Sequence, residues 1–314
     1  CALNDREFRK SRAGEMPLSR ALELVRQMRG VKVLLLYGLG EPLLYKGLEE
    51  VIREARRRIP TVSFTTNATL LTGERSRSLA AAGLSRIQVS LDSLDPEYHR
   101  RVRGGELPAI LENVERFSRV TGLPVHLWAV VTAENVRRLH EVVELKARIP
   151  TLEHAHFQLL DGEHLRAKHN LEGRIPREVM VPFKRRLYRR CRELGLSTDV
   201  DLLPDEPPSG YSRGICPAPW TGVAHIDYAG HVNPCCVMPE VALDSAVELG
   251  FRRAWNGPQM RRLRREILEG SYLPSCQNSC GFLCNGRSSF QAQNRREWTP
   301  PIAEIPVLPP SSAP

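Results

Sequence analysis

Two groups of residues in this 314-residue chain have the types and spacing that chemistry requires: clustered cysteines, and small polar residues that follow predicted strands. Two of the eight cysteines, Cys1 and Cys191, precede residue 216. A disulfide framework normally belongs to a small secreted domain without a core, whereas 41% of this chain is hydrophobic. The clustered cysteines therefore favour metal or cluster ligands, and they are Cys216, Cys235, Cys236, Cys276, Cys280 and Cys284.

The polar residues stand where three predicted strands end. The first strand leads into Gly38–Pro42, in which two glycines permit a close backbone approach and Glu41 could accept hydrogen bonds from a ligand amine. The next two strands end in Thr65–Asn67 and Ser90–Ser93. If the fold is a barrel, these ends share one mouth. The alternative is that each polar residue caps the following helix, and this applies most strongly to Asp92.

The elements that must position these residues alternate between strand and helix. The spacing predicts strands at residues 31–37, 61–66, 86–91, 125–132 and 154–160, and helices at 17–29, 47–58, 72–82, 108–120, 136–148 and 177–194. Such alternation predicts an α/β fold with parallel strands, either a barrel or a doubly wound sheet. Both architectures place chemistry on the loops at the carboxyl ends of the strands.

The α/β part resembles the radical S-adenosylmethionine (SAM) superfamily in four segments that occur in the family order: Gly38–Pro42, Thr66–Leu70, Val89–Ser93 and Arg103–Gly104. The resemblance implies a partial (β/α)6 TIM-like barrel whose first loop carries a Cys-x3-Cys-x2-Cys motif. It also implies a [4Fe-4S] cluster on those thiolates, with SAM on the fourth iron. One-electron cleavage of SAM then gives a 5′-deoxyadenosyl radical that abstracts hydrogen from a substrate.

The same resemblance assigns contacts to SAM. Glu41 and its neighbours would bind the methionine amine, while Ser90 and Asn67 would contact the ribose or the carboxylate; Asn135 is a further candidate. The predicted cofactor-binding residues are Gly38, Gly40, Glu41, Pro42, Asn67, Ser90 and Asp92.

The start of the chain departs from the family pattern. Cys1 is followed directly by Ala2, and the next cysteine is Cys191. The simplest fit makes Cys1 the last cysteine of the motif, with strand one and two further cysteines upstream. We therefore expect this chain to be a piece of a longer protein. We also expect the chain alone to be inactive, since one thiolate cannot replace three around the cluster.

The cysteine-rich end is similar to the auxiliary-cluster domain called SPASM, or to its shorter twitch relative. A hairpin would supply Cys216 and Cys235, and a later loop the other thiolates, as suits an iron–sulfur cluster held by four cysteines. A zinc site is the alternative. Six cysteines cannot supply two clusters, so we expect one auxiliary [4Fe-4S] site. The predicted metal ligands are Cys1 for the radical cluster and Cys216, Cys235, Cys276, Cys280 and Cys284, the last two competing for one position.

Three segments divide the chain by composition. We expect a radical SAM barrel at residues 1–202, a SPASM/twitch domain at 203–290 after a proline-rich linker, and a disordered proline-rich tail at 291–314. Within the barrel, His154 and His156 alternate on one strand and could face the lumen, although a structural role is the commoner outcome. Cys191, in a basic helix, is expected to be structural.

Charge and hydropathy limit the partners and the location. The net charge is +9, but the arginine runs fall in helical patterns and read as solvated helix faces, so nucleic acid is not an expected partner. No run approaches the ~18 apolar residues of a membrane span. No signal-peptide pattern opens the chain, and we expect a cytoplasmic protein with no membrane partner.

The functional prediction is a radical SAM oxidoreductase of the maturase type that modifies a peptide or protein. It would take electrons from a donor such as flavodoxin or ferredoxin. One alternative is a radical dehydrogenase or epimerase of a small molecule, for example a sugar, an aminoglycoside or a cofactor precursor. A second alternative is a non-catalytic metal-binding scaffold.

Overall fold

The computed structural model describes residues 14–38, 40–159, 175–203, 205, 219–220, 224–235 and 242–269. Two units are recognisable in these ranges, a large α/β unit and a smaller one built from a short hairpin and three helices. No helix among the described residues is long and apolar enough to cross a membrane.

Six parallel strands form the sheet of the large unit and lie in it in chain order. They are β1 (Val33–Leu36), β2 (Thr61–Thr66), β3 (Arg86–Ser90), β4 (Val125–Val131), β5 (Leu152–Leu159) and β6 (Ser197–Thr198). This confirms the predicted α/β class with parallel strands. Among the described residues β1 is an edge strand, and Val33 is 50% exposed there.

Helices connect the strands and cover one face of the sheet. The α-helices are α1 (Leu18–Gln27), α2 (Leu48–Arg56), α3 (Gly73–Ala81), α4 (Pro96–Val102), α5 (Leu107–Thr121) and α6 (Arg177–Glu193). Three 3-10 helices accompany them, at Pro42–Leu44, Leu139–Ala147 and Val200–Leu202.

Alternation along the strands separates a buried face from a polar one. Phe64, Ile87 and Leu127 point towards the helices and are at most 1% exposed. Burying side chains of this size stabilises the fold by about 1.5–3 kcal/mol each. Helix α5 shows the matching pattern: Ile110, Val114 and Phe117 fall on one side and are buried in the same core.

The predicted elements are found within about two residues, with two differences of kind. Helix α4 was expected to be a loop, although Asp95 caps it by accepting hydrogen bonds from two backbone N–H groups and Pro96 occupies its first turn. Residues 139–147 form a 3-10 helix where a helix over 136–148 was predicted. Three residues per turn align Leu139, Val142 and Leu145 on the buried side.

The smaller unit has its own core and rests on α1. It contains β7 (His225–Ile226) paired antiparallel with β8 (Val232–Asn233), and α7 (Ala246–Leu249), α8 (Phe251–Trp255) and α9 (Pro258–Leu268). Leu24 packs in this core, whereas its neighbour Val25 packs in the large one. Helix α1 therefore joins the two units.

Candidate active site

Glu41 links the ends of β1 and β2 through hydrogen bonds. Its Oε1 accepts from Leu43 N at 3.1 Å and from Thr66 Oγ1 at 2.7 Å, and its Oε2 accepts from Asn67 N at 2.8 Å. A carboxylate offers about four acceptor positions, so one on Oε2 is left for a ligand donor. Glu41 thus fixes the turn after β1 against the loop after β2, which sequence reasoning did not foresee.

The loop after β2 is held in an uncommon conformation. Ala68 is fully buried with φ +59°, in the left-handed region that non-glycine residues rarely adopt. Its carbonyl accepts a hydrogen bond from Asn113 Nδ2 at 3.0 Å, and its N–H donates to Thr66 Oγ1 at 2.9 Å. Asn67 Oδ1 accepts from Thr69 N and Oγ1. The surrounding hydrogen bonds therefore keep Asn67 beside Glu41.

Gly38 and Gly40 have free space where side chains would begin. A Cβ built on either residue has no atom within 4 Å, and neither has a positive φ. Packing among the described residues does not require glycine at these positions, whereas a ligand lying on the backbone would. Pro42 opens the 3-10 helix that Glu41 caps.

Ser90 ends β3 and Asp92 lies two residues further on, and their surroundings differ. Ser90 is half-buried. Asp92 is buried, and its carboxylate accepts two hydrogen bonds from Arg103, at 2.6 and 2.8 Å, and one from Val130 N at 2.8 Å. Asp92 is therefore a structural ion-pair partner, and its contact with a cofactor stays a prediction.

Asn135 is also occupied by the protein. Its amide donates to the carbonyls of Asp92 and Val130 and accepts from Thr132 N. These contacts use both N–H donors and the oxygen of a buried side chain. We assign Asn135 a structural role in joining the ends of β3 and β4.

The face of the sheet opposite the helices carries polar and aromatic side chains in register. Gln88 pairs with His126 and His126 with His154, while Ser90 pairs with Trp128 and Trp128 with His156. We call this surface the polar face, and it comprises Ser63, Thr65, Arg86, Gln88, Ser90, His126, Trp128, His154 and His156. The prediction that His154 and His156 share a face is thus correct.

Burial and a nearby cation lower the pKa of two histidines of the polar face, His126 and His154. Burial is the main cause that lowers the pKa of His126 to about 4, and Arg86 and His154 add to it. Burial also lowers the pKa of His154, where Asp199 opposes the shift more strongly than Arg86 supports it. Arg86 Nε and Ser63 Oγ are buried without hydrogen-bond partners among the described residues.

His156 pairs with a carboxylate at the end of the short strand β6. Its Nδ1 is hydrogen-bonded to Asp199 Oδ2, and Asp199 Oδ1 accepts from Phe157 N at 3.1 Å. The ring of Trp128 lies 3.9 Å from that of His156 between centroids. Sequence reasoning missed Arg86, His126, Trp128 and Asp199; strict alternation along β3 and β4 could have indicated the first three.

The smaller unit reaches the turn after β1. The hydroxyl of Tyr37 lies 2.8 Å from His225 Nδ1, and the two rings stack edge-on with centroids 5.6 Å apart. Cys235, a predicted ligand, is half-buried just after β8. The other predicted ligands, Cys1, Cys216, Cys276, Cys280 and Cys284, lie outside the described residues, as does the alternative Cys236.

Two family models match the chain in the order of its two units. The Radical SAM superfamily matches residues 1–145, and the SPASM iron–sulfur cluster-binding domain matches residues 216–281. The chain contains a radical SAM domain followed by a SPASM domain. A radical SAM domain implies SAM and a [4Fe-4S] cluster as cofactors, and the SPASM domain implies auxiliary iron–sulfur binding, as the sequence predicted.

A curated relative is named for a small-molecule reaction. The chain is 30% identical over 172 residues to a probable GTP 3′,8-cyclase of Methanococcus aeolicus. The aligned residues make up 51% of this chain and 57% of that protein. The chain therefore spans about half the length of this relative.

Solved structures share the fold over more of the chain. Streptococcus suis SuiB bound to its precursor peptide SuiA is 16% identical with a TM-score of 0.65, covering 96% of this chain and 70% of SuiB. Native anSMEcpe with bound AdoMet is 17% identical with a TM-score of 0.59, covering 86% of this chain and 78% of that chain. At these identities the likeness concerns the fold.

The residues at the carboxyl ends of β1–β3 fit SAM. Glu41 Oε2 keeps an acceptor position for an ammonium group, and the half-buried Ser90 offers a hydroxyl on the polar face. The backbone at Gly38 and Gly40 is open to a ligand. Asp92 differs from the other residues predicted to contact the cofactor. Its carboxylate already forms an ion pair with Arg103.

Proposed function

We propose that this radical SAM protein binds SAM at the carboxyl ends of β1–β3 and acts on a substrate held against the polar face. The observation that carries the proposal is the Glu41 bridge, because it joins the turn after β1 to Asn67 after β2, and Ser90 ends the neighbouring strand β3. When bound and reduced by one electron, SAM supplies a 5′-deoxyadenosyl radical that takes a hydrogen atom from the substrate.

The chain's own residues orient the cofactor and shield the reaction. Glu41 holds the methionine ammonium at Oε2 while its other contacts keep the carboxylate in place. Ser90 and Asn67 hold the ribose or the carboxylate of SAM. Trp128 and the neutral His126 cover the neighbouring part of the polar face, where they exclude water, and His126 leaves a nitrogen lone pair for a substrate donor.

The substrate that we favour is a peptide or protein, with an electron donor such as flavodoxin or ferredoxin as a second partner. The likeness to SuiB supports this choice, since it extends over 96% of the chain, both units included. The likeness to the GTP 3′,8-cyclase covers 51% of the chain. A SPASM unit that contacts the turn after β1, through Tyr37 and His225, would border the substrate entrance.

A small molecule with an anionic group is the second candidate, and a specific observation favours it. Arg86 Nε and Ser63 Oγ are buried donors with no hydrogen-bond partner in the described part of the chain, and the two residues are direct neighbours across β2 and β3. Buried donors left unpaired cost about 1–3 kcal/mol each, so a substrate carboxylate or phosphate that accepted from both would stabilise the site. The sequence relative named for a GTP reaction is consistent with this.

The test measures SAM cleavage in protein made from its complete reading frame and reconstituted with iron and sulfide without oxygen. We expect 5′-deoxyadenosine on reduction, and weaker SAM binding with unchanged iron content in the Ser90→Ala variant. Extract fractions that accelerate the cleavage are then treated with protease. Loss of the acceleration supports a peptide, and its persistence supports a small molecule. A protein that holds its iron but neither binds nor cleaves SAM is a metal-binding scaffold, and the proposal is then wrong.

A further inference from the structure

We propose that His154, His156 and Asp199 form a binding site for one divalent transition-metal ion, separate from the iron–sulfur sites. Each residue offers one ligand atom, and these atoms lie within 4.8 Å of one another. All three side chains are half-buried, so an ion would be partly shielded yet reachable from the polar face. Two imidazoles with one carboxylate are a common ligand set for zinc and for iron(II).

Strand geometry brings the three ligands together. His154 and His156 are two residues apart on β5, so both point to the polar face. Strand β6 pairs in parallel with β5, with Ser197 opposite His154, and Asp199 follows directly after this strand. The hydrogen bond from Phe157 N to Asp199 Oδ1, at 3.1 Å, holds the carboxylate at the edge of β5.

Hydrogen bonds fix the ring of His154 so that the lone pair of its Nε2 is free. Ser197 Oγ donates its single proton to the Glu153 carbonyl at 3.0 Å, so it can only accept from His154 Nδ1, which lies 2.8 Å away. The proton of His154 is therefore on Nδ1, and Nε2 is available to bind an ion. Such outer contacts orient histidine ligands in metal sites and raise their basicity.

The ring of His156 is oriented by the carboxylate of Asp199. His156 Nδ1 is hydrogen-bonded to Asp199 Oδ2, and Trp128 packs on the ring, which limits its rotation. Without an ion, Nδ1 donates its proton to the Asp199 carboxylate. An ion bound to both Nδ1 and the carboxylate would replace that proton, which is released to solvent. An ion bound by His154, His156 and Asp199 would keep at least one coordination position for water or a substrate oxygen, because zinc takes four ligands or more.

The position on the sheet connects this site to the substrate region. His156 pairs with Trp128 and Trp128 with Ser90, so His156 lies two strands from Ser90 at the same height in the sheet. Two inter-strand spacings amount to about 10 Å. An ion here could hold an oxygen or carboxylate of a substrate beside the predicted SAM site.

Zinc binding to the cluster-containing protein tests the proposal without a known substrate. Zinc is added, loosely bound metal is removed by desalting, and zinc per chain is measured for wild type and for His156→Gln and Asp199→Asn. Cluster cysteines that take zinc do so equally in all variants. We expect one zinc ion per chain more in wild type than in either variant, with nitrogen and oxygen neighbours at about 2.0–2.1 Å in the X-ray absorption difference.

His231→Gln is the matched control, because His231 also lies near a carboxylate, with its Nδ1 3.4 Å from Asp227 Oδ2, but belongs to no group of three ligands among the described residues. The His231→Gln variant should bind as much zinc as wild type.

Ser197→Ala should weaken zinc binding by about 10- to 100-fold while leaving the ligands intact. Equal zinc in wild type, His156→Gln and Asp199→Asn, or zinc neighbours that are all sulfur, would show that the site does not exist. Iron content and SAM cleavage are scored separately, so the two proposals can fail independently.

Discussion

Asp92 shows how a residue predicted to contact a cofactor can have a structural role in the fold. Its position after β3 suits a ligand, but its carboxylate is 4% exposed and accepts two hydrogen bonds from Arg103. A buried pair of this kind contributes little net free energy when intact, but removing one partner leaves an uncompensated charge.

Replacing Asp92 with Asn should therefore destabilise the protein strongly. We expect the free energy of unfolding to fall by about 3–5 kcal/mol, because Arg103 stays buried without its counter-charge. Urea unfolding followed by circular dichroism measures this. Glu106→Gln, which breaks the exposed pair with Arg100, is the control and should not move the midpoint. A midpoint in Asp92→Asn equal to that of wild type would contradict the structural role.

His126 makes stability depend on pH. Its pKa of about 4 in the fold, against about 6.5 when unfolded, means that the unfolded chain binds more protons between these values. The stability of the native state is therefore unaffected above pH 6.5 and falls as the pH falls towards 4. At pH 5 we expect His126 to lower the free energy of unfolding by roughly 1–2 kcal/mol.

The measurement compares wild type with His126→Asn, which does not titrate in this range. The difference in free energy of unfolding between the two proteins at pH 7.5 serves as the reference. At pH 5 the free energy of unfolding of wild type should have fallen more than that of His126→Asn. A difference that is the same at both pH values would mean that His126 titrates normally in the fold.

At the scale of elements, helix α4 explains why Arg103 reaches Asp92. The helix starts at the Asp95 cap and ends at Val102, and the two turns between them return the chain to the end of β3. Asn135 then ties the same point to β4 through the Asp92 carbonyl. Side chains thus connect the loop after β1 to the loop after β2, and the end of β3 to the end of β4, and this preorganises the carboxyl ends of the strands.

The turn after β1 provides a test that separates binding from folding. Gly38→Ala and Gly40→Ala add a Cβ that has no contact within 4 Å among the described residues, so we expect unchanged or slightly higher stability. If SAM lies on this backbone, the methyl group should raise its dissociation constant about tenfold or more. Equilibrium dialysis with SAM and thermal unfolding measure the two effects.

Gly83→Ala is the control for this pair. Gly83 has φ +98°, and a Cβ there would lie 2.9 Å from Arg56 Cγ, so this change should lower stability and leave SAM affinity unaltered. If Gly38→Ala and Gly40→Ala bind SAM as wild type does, the cofactor does not contact this turn.

For the whole molecule, the central feature is that α1 belongs to both cores. Leu24 packs with Val232, Met260 and Ile267, whereas Val25 packs in the core of the sheet. Gln27 Oε1 also accepts from Phe251 N, and Tyr37 meets His225. The units are therefore coupled through α1 and the turn after β1.

Substitutions in α1 should destabilise one unit at a time. Leu24→Ala should cost about 2–5 kcal/mol and Val25→Ala somewhat less, because each leaves a cavity in a different core. Hydrogen exchange should rise in residues 224–235 and 242–269 for Leu24→Ala, and in β1–β4 for Val25→Ala. Leu44→Ala, at a leucine that is 67% exposed, controls for loss of surface area. Uniform changes in both units would show that they unfold as one.

The sequence alone determined five of the six strands of the sheet, most of its helices, the α/β class and the family, because periodicity and short motifs are local properties of the chain. It also identified Glu41, Asn67 and Ser90 as residues to examine, since each stands at or soon after the end of a predicted strand. The glycine spacing after β1 and the cysteine spacing likewise required no three-dimensional information.

Tertiary structure alone decided which partner each polar side chain takes. Glu41 bonds to Asn67 across 26 residues, His156 to Asp199 across 43, and Tyr37 to His225 across 188. These pairs depend on the register of parallel strands and on the docking of the two units. Neither is encoded in local periodicity, because a shift of one residue would send every side chain of a strand to the other face.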